Sequence, residues 1–184
     1  MTSEGREREA LLPLARALAG RRRAWIRYDD AGGARTDRDV DVLGLAWRGG
    51  PWHVAAFCHR RGAFRLFRVD RVARARVLRA VARSDLAPPG FDRRFFSTSA
   101  FLSPGLGRPV LASVALHGAF SGLAAALFPS ALLEWVSAGS VLCHLRATDL
   151  GQLACLVASL GEGVAIRHPE EACALAESLG SPPG

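Results

Sequence analysis

The stretch PWHVAAFCHRRGAFRLFRV, residues 51–69, decides how the first half of this chain folds. Alternation over WHVAAFCH marks a half-buried strand, with His53, Ala55, Phe57 and His59 on one face and Trp52, Val54, Ala56 and Cys58 on the other. Arg-Arg-Gly then makes a tight turn, and FRLFRVDRV is the returning strand. Arg65, Arg68 and Arg71 fall three apart rather than two, which predicts a bulge or strand end near Phe67. The two histidines, six residues apart, stand about 20 Å from each other along a strand, too far to share a metal ion.

Upstream, EREALLPLARALAGRR spaces Leu11, Leu14, Ala15 and Leu18 as one helix face and stops at Gly20. AWIRYD, a turn at DAGGA, RDVDVLGLAW and a turn at RGG precede the hairpin, and ARARVL follows it. Five short strands joined by glycine turns predict a small antiparallel barrel over residues 21–83, after a helix in residues 1–20. SDLAPPG at 84–90 is the one Pro-Gly cluster between two patterned regions, so it is the expected linker.

The segment 91–184 reads as PVLASVALH strand, GAFSGLAAALF helix, ALLEWVSA and SVLCHLRA strands, a helix capped by Asp149, GVAIRH strand, and a helix opened by Pro169 and ended by Gly180. That order is a ferredoxin-like βαββαβ pattern with one extra helix. The expected fold class is therefore α+β: an N-terminal helix, a small barrel and a ferredoxin-like domain. Residues 109–133 carry no formal charge, but Ser113, His117, Gly118, Ser121, Gly122 and Pro129 interrupt the run, which reads as strand then helix rather than a membrane span.

All 24 basic residues are arginine, and they are unevenly placed. Residues 21–83 hold 16 Arg and six Asp, whereas residues 84–184 hold five Arg against eight acids. Five guanidinium groups at positions 60, 61, 65, 68 and 71 repel one another unless anions neutralise them, and that segment supplies only Asp70. Planar guanidinium forks suit phosphate oxygens, and Trp52, His53, Phe57 and Phe64 offer rings on which a base could stack. The four cysteines show no C-x-x-C pair and the first ten residues are polar, so reduced thiols and a cytoplasmic location are expected.

IRY at 26–28, Arg38, WHV at 52–54, CHRRGAFRLFRVDRV at 58–72 and FD at 91–92 together resemble the WYL-domain proteins of bacteria. The resemblance implies an SH3- or Sm-like barrel over residues about 24–77. Residues about 91–180, with LACLVASLGEGVAIRHPEE, resemble the extension that follows that domain. It further implies a ligand-sensing module of transcription regulators that binds single-stranded nucleic acid or a nucleotide. By position the ligand-binding residues would be Trp52, His53, His59, Arg61, Arg65, Arg68 and Arg71. A histidine, His53, stands where the family usually has tyrosine, and Val42 stands near a customary proline. Only about twenty residues precede the barrel, too few for the family's usual winged helix-turn-helix. A separate DNA-binding subunit, a stand-alone sensor or a truncated descendant would each account for this.

Enzyme signatures are missing: there is no G-x-S-x-G, P-loop or H-E-x-x-H, and Gly-Leu-Gly at 105–107 is too short for a nucleotide fingerprint. No metal or cofactor is expected. Cys58 and His59 are strand neighbours and point to opposite faces, which argues against a thiolate–imidazole pair. The rival reading is a non-enzymatic interaction module with an acidic partner, with the apolar C-terminal region forming a homodimer.

Overall fold

Ala24, Ile26 and Tyr28 are buried while Arg23, Trp25 and Arg27 between them are half-buried, the pattern of a strand whose one face meets a core. This is β1 (Arg22–Asp29) of a computed structural model that describes residues 3–47, 50–93, 96 and 108–180. Arg48 and Gly49 of the expected RGG turn, and the Gly-Leu-Gly of 105–107, lie outside the described residues. The chain divides into two compact units, residues 1–96 and 97–184.

In the first unit, β1 pairs with β2 (Arg35–Trp47), β2 with β3 (Trp52–Cys58) and β3 with β4 (Ala63–Arg68). β5 (Val72–Val81) returns to the other side of β1, so the strand order is β4-β3-β2-β1-β5, antiparallel throughout. β4 stops at Arg68, and a 3-10 turn at Val69–Arg71 follows it, close to the irregularity the arginine spacing predicts. Gly62, with φ of 60°, supplies the left-handed residue that the β3–β4 turn needs.

The expected closed barrel is not found: β4 and β5 are the edges of an open sheet. The short turn between them carries the chain from one edge round to the other without aligning the two strands for hydrogen bonding. The sheet curls nonetheless, because Phe67 of β4 packs edge-on against Tyr28 of β1 with ring centroids 5.1 Å apart. Helix α1 (Ser3–Ala19) buries Leu11, Leu14, Ala15 and Leu18 and packs against β5, β1, β2 and the 3-10 turn. A smaller cluster covers the opposite face of β2 and β3, where Phe91 and Phe96 pack with Ala46, Ala55 and Phe64.

The second unit holds a four-stranded antiparallel sheet in the order β7-β8-β6-β9. It is built from β6 (Val110–His117), a 3-10 segment (Gly118–Leu123) running into a single α-turn, α2 (Ala124–Leu127), then β7 (Leu132–Ser137) and β8 (Ser140–Ala147). Helix α3 (Leu150–Leu160), β9 (Val164–His168) and α4 (Glu170–Gly180) complete it. Asp149 caps α3 by accepting the Gln152 N–H at 2.9 Å. Where a continuous helix is expected over 118–128, the chain is mostly 3-10, with Gly118 at a φ of 56°. Two glycines and no capping side chain leave α-helix poorly nucleated there. The uncharged run 109–133 is accounted for by β6, these turns and the start of β7. No described helix is long and apolar enough to cross a membrane.

Candidate functional site

The arginines of the first unit fall into two groups, and the aspartates decide which. Register pairs Arg23 with Asp41, Trp25 with Asp39, Arg27 with Asp37, and Asp29 with Arg35, so one face of β1–β2 is a ladder of opposite charges. Arg27 Nε and Nη2 donate to the two Asp37 oxygens at 2.8 and 3.0 Å, and Arg35 does the same to Asp29 at 2.7 and 2.9 Å. Each guanidinium holds its aspartate carboxyl below the ordinary range. Asp41 is fully buried and is bonded by Arg23 Nε at 3.0 Å, His59 Nε2 at 2.9 Å and the Arg83 N–H at 3.2 Å.

Five of the six aspartates in residues 21–83 thus sit in the β1–β2 hairpin, at 29, 30, 37, 39 and 41. The β3–β4 hairpin is left with little to neutralise it. Arg61 is exposed in the turn, Arg65 is exposed on β4, and neither they nor Arg60 form an ion pair with a described carboxylate. Arg68 is the exception, since its Nε and Nη2 grip both Asp70 oxygens at 3.1 and 2.6 Å and hold that carboxyl below the ordinary range. Arg71, one residue beyond, adds to the positive potential at Asp70.

The seven residues expected to bind ligand do not share one surface. Trp52 is 1 % exposed, so its ring is core rather than a platform, and its backbone N–H donates to Glu7 Oε1 at 2.6 Å. His53 lies opposite Arg68 in register, placing both on one face of the β3–β4 ribbon near Asp70 and Arg71. Arg65 lies opposite Ala56, on the other face. His59 is at the far end of β3, its ring edge-on to Phe57 at 5.3 Å and its Nε2 on Asp41; Arg61 is in the adjoining turn. The arrangement is a basic ribbon with two faces and two ends. Among the described residues no group of three His, Cys, Asp or Glu side chains could hold a metal ion.

Sequence reading missed Asp41 and the acid ladder, although Asp37, Asp39 and Asp41 alternate visibly in TDRDVDV. Arg38, named in that reading only as part of the family resemblance, is half-buried with its guanidinium 5.7 Å from the ring centres of both Tyr28 and Phe67. Arg38 Nε donates to Thr36 Oγ1 at 2.9 Å. That cation–π cage depends on the sheet's curl, for which a single sequence has no signal.

The WYL domain family model matches residues 9–77, the stretch that runs from within α1 through the hairpins into β5. Among solved structures the chain is similar to Proteasome accessory factor B/C (PafBC) of Arthrobacter aurescens, at 28% identity over 94% of this chain and 26% of that one, with a TM-score of 0.42. It is also similar to a CRISPR Cas-related protein, at 11% identity over 92% of this chain and 48% of that one, with a TM-score of 0.31. This chain therefore spans about a quarter of the length of the PafBC chain. No curated protein matches it.

Proposed function

We propose that this protein is a non-enzymatic, ligand-sensing regulatory protein of the WYL type that binds single-stranded nucleic acid or a nucleotide through the β3–β4 hairpin. The observation that carries the reading is the division of charge: Asp29, Asp37 and Asp41 are ion-paired on β1–β2, while Arg60, Arg61 and Arg65 form no ion pair with a described carboxylate. Guanidinium groups held on one short ribbon and not engaged in ion pairs are suited to phosphate, and affinity built this way falls steeply with salt. His53, Arg68 and Arg71 would form one side of the site, with His59 and Arg61 at its far end and Arg65 across the ribbon. Trp52 would support the site from the core.

On this reading the curled sheet with its helix is an SH3- or Sm-like module, and the β7-β8-β6-β9 sheet with its helices is a ferredoxin-like extension domain. A separate DNA-binding subunit is a partner compatible with this reading. A homodimer through the second unit suits the exposed Leu132, Trp135 and Val136 of β7.

Fluorescence anisotropy of short labelled single-stranded DNA tests the proposal, comparing the native chain with Arg61→Ala/Arg65→Ala and Arg68→Ala/Arg71→Ala at two salt concentrations. Salt-sensitive binding that either pair of substitutions abolishes supports the hairpin site. Native protein that leaves the probe tumbling freely at low salt removes single-stranded DNA as the ligand.

A further inference from the structure

The charged face of β5, β1 and β2 carries a depression that the hairpin site does not explain. At its middle stands Trp25, half-buried, with the Arg76 guanidinium 4.9 Å and the Arg27 guanidinium 5.3 Å from its ring centre. The hollow opens on both sides of this residue: about 610 Å³ toward β5, lined by Arg27, Arg74 and Arg76, and about 360 Å³ toward the β3–β4 turn, lined by Asp39, His59 and Arg60.

The charges here are not all alike. Arg27 is neutralised by its two bonds to Asp37, whereas Arg60, Arg74 and Arg76 hydrogen-bond no described carboxylate. Against those three stand Glu9, Asp39 and Asp37; Asp37 lines both halves of the hollow and, besides its bonds from Arg27, feels the charges of Arg60 and Arg76. Asp39 is the direct cross-strand partner of Trp25, on the same face, and its carboxylate has no donor among the described residues. Side chains so paired have their Cβ atoms roughly 5 Å apart. A flat group that takes the place of the Arg76 guanidinium on the indole, freeing that arginine for a phosphate, would bring its edge to that carboxylate.

We propose that this hollow binds one nucleotide unit of a single strand: the base stacks on Trp25, phosphates meet Arg60, Arg74 and Arg76, and Asp39 reads the base edge. An ionised carboxylate only accepts hydrogen bonds, so it favours an exocyclic amino group, as on cytosine, and disfavours the O4 of thymine. Indole is a sequence-tolerant platform, so discrimination falls to Asp39. The inference rests on the nucleic-acid reading above and adds to it a second contact surface with a base preference.

The test uses the full chain and labelled oligo(dC) and oligo(dT) of equal length, with anisotropy as the readout. Native protein is expected to hold oligo(dC) about 5- to 10-fold more tightly than oligo(dT), within the discrimination one good base-edge contact supplies. Asp39→Asn keeps binding but erases the preference, because an amide both donates and accepts. Trp25→Leu, which keeps apolar cover, weakens both oligonucleotides by about tenfold. The preference of Asp39→Asn is a ratio within one variant, so it is readable even if Trp25→Leu folds poorly. Binding equal to native in a folded Trp25→Leu, or equal affinity of native protein for the two probes, overturns the inference. If Arg61→Ala/Arg65→Ala abolishes binding while Trp25→Leu does not, this hollow is excluded and the hairpin stands. The reverse pattern removes the hairpin and keeps the hollow, and native protein that binds neither probe removes both.

Discussion

His59 Nε2 lies 2.9 Å from Asp41 Oδ2, and the carboxylate it meets is fully buried. A buried carboxylate is tolerated only when its oxygens are bonded, and here three donors from different parts of the unit converge on it. Arg23 comes from β1, His59 from the end of β3, and the Arg83 N–H from just beyond β5. Asp41 therefore ties the start of the basic hairpin turn to the segment that leaves the sheet. Asp41→Ala should destabilise the protein by about 3 kcal/mol, the low end for breaking a buried pair, since Arg23 and His59 both reach solvent. Urea unfolding at neutral pH measures this as a lower midpoint, and a loss under about 1 kcal/mol would mean that the three donors re-pair with water at little cost.

Acid should weaken the first unit progressively. The Asp70 carboxyl is held below its ordinary value of 3.8 chiefly by its hydrogen bonds from Arg68. With the folded value lower than the unfolded one, the pair stabilises in full above the ordinary carboxylate range, and its contribution disappears as pH falls through the depressed value. Asp29, Asp37 and Asp85 shift in the same direction, each through hydrogen bonding to its arginine. The urea midpoint should drop between about pH 5 and pH 2, with a shallower slope in Asp70→Asn than in native protein. An identical slope in the two would place the acid sensitivity elsewhere.

Much of this architecture was legible in the sequence because it rests on local periodicity. Alternation in WHVAAFCH, the glycine at 62 and the three-residue spacing of Arg65, Arg68 and Arg71 define the hairpin and its ending at a 3-10 turn. Asp149 opens α3 by capping, which is also local. What escaped is long-range. Whether β4 pairs with β5 depends on sheet curl and strand ends, so an open sheet was read as a closed barrel. Alternation shows that Trp52 and His53 face opposite ways but does not say which face meets α1, so Trp52 looked available for stacking. His59 lies eighteen residues from Asp41, and only the β2–β3 register brings the two together.

Helix α3 offers a check on the second unit. Its first free N–H groups are served by Asp149, whose Oδ1 accepts from Gln152 N at 2.9 Å. Asp149→Ala removes that acceptor and the favourable charge at the helix start, for an expected loss of about 1 kcal/mol. Asp149→Ser, which restores a capping oxygen, should recover most of it. Thermal melts of the full chain followed by helical circular dichroism provide the comparison, and equal melting of the Ala and Ser variants would contradict the cap's role.

Gly44 marks the point where the second apolar cluster closes on the sheet. A Cβ there would stand 3.2 Å from Phe96 Cδ1 and 3.3 Å from Phe91 Cζ, closer than carbon atoms pack without displacement. The pairing of β2 with β3 also shifts register between Val42 and Gly44, so the backbone at this position is already irregular. Gly44→Ala should therefore cost about 1–3 kcal/mol through overpacking, even though alanine suits a strand better than glycine does. Phe96→Leu removes ring volume from the contact, so the double variant should be more stable than the sum of the two single losses predicts. Urea midpoints for the native chain, both single variants and the double variant complete the cycle. Strict additivity would show that Gly44 is held by the strand's own geometry and not by the rings above it.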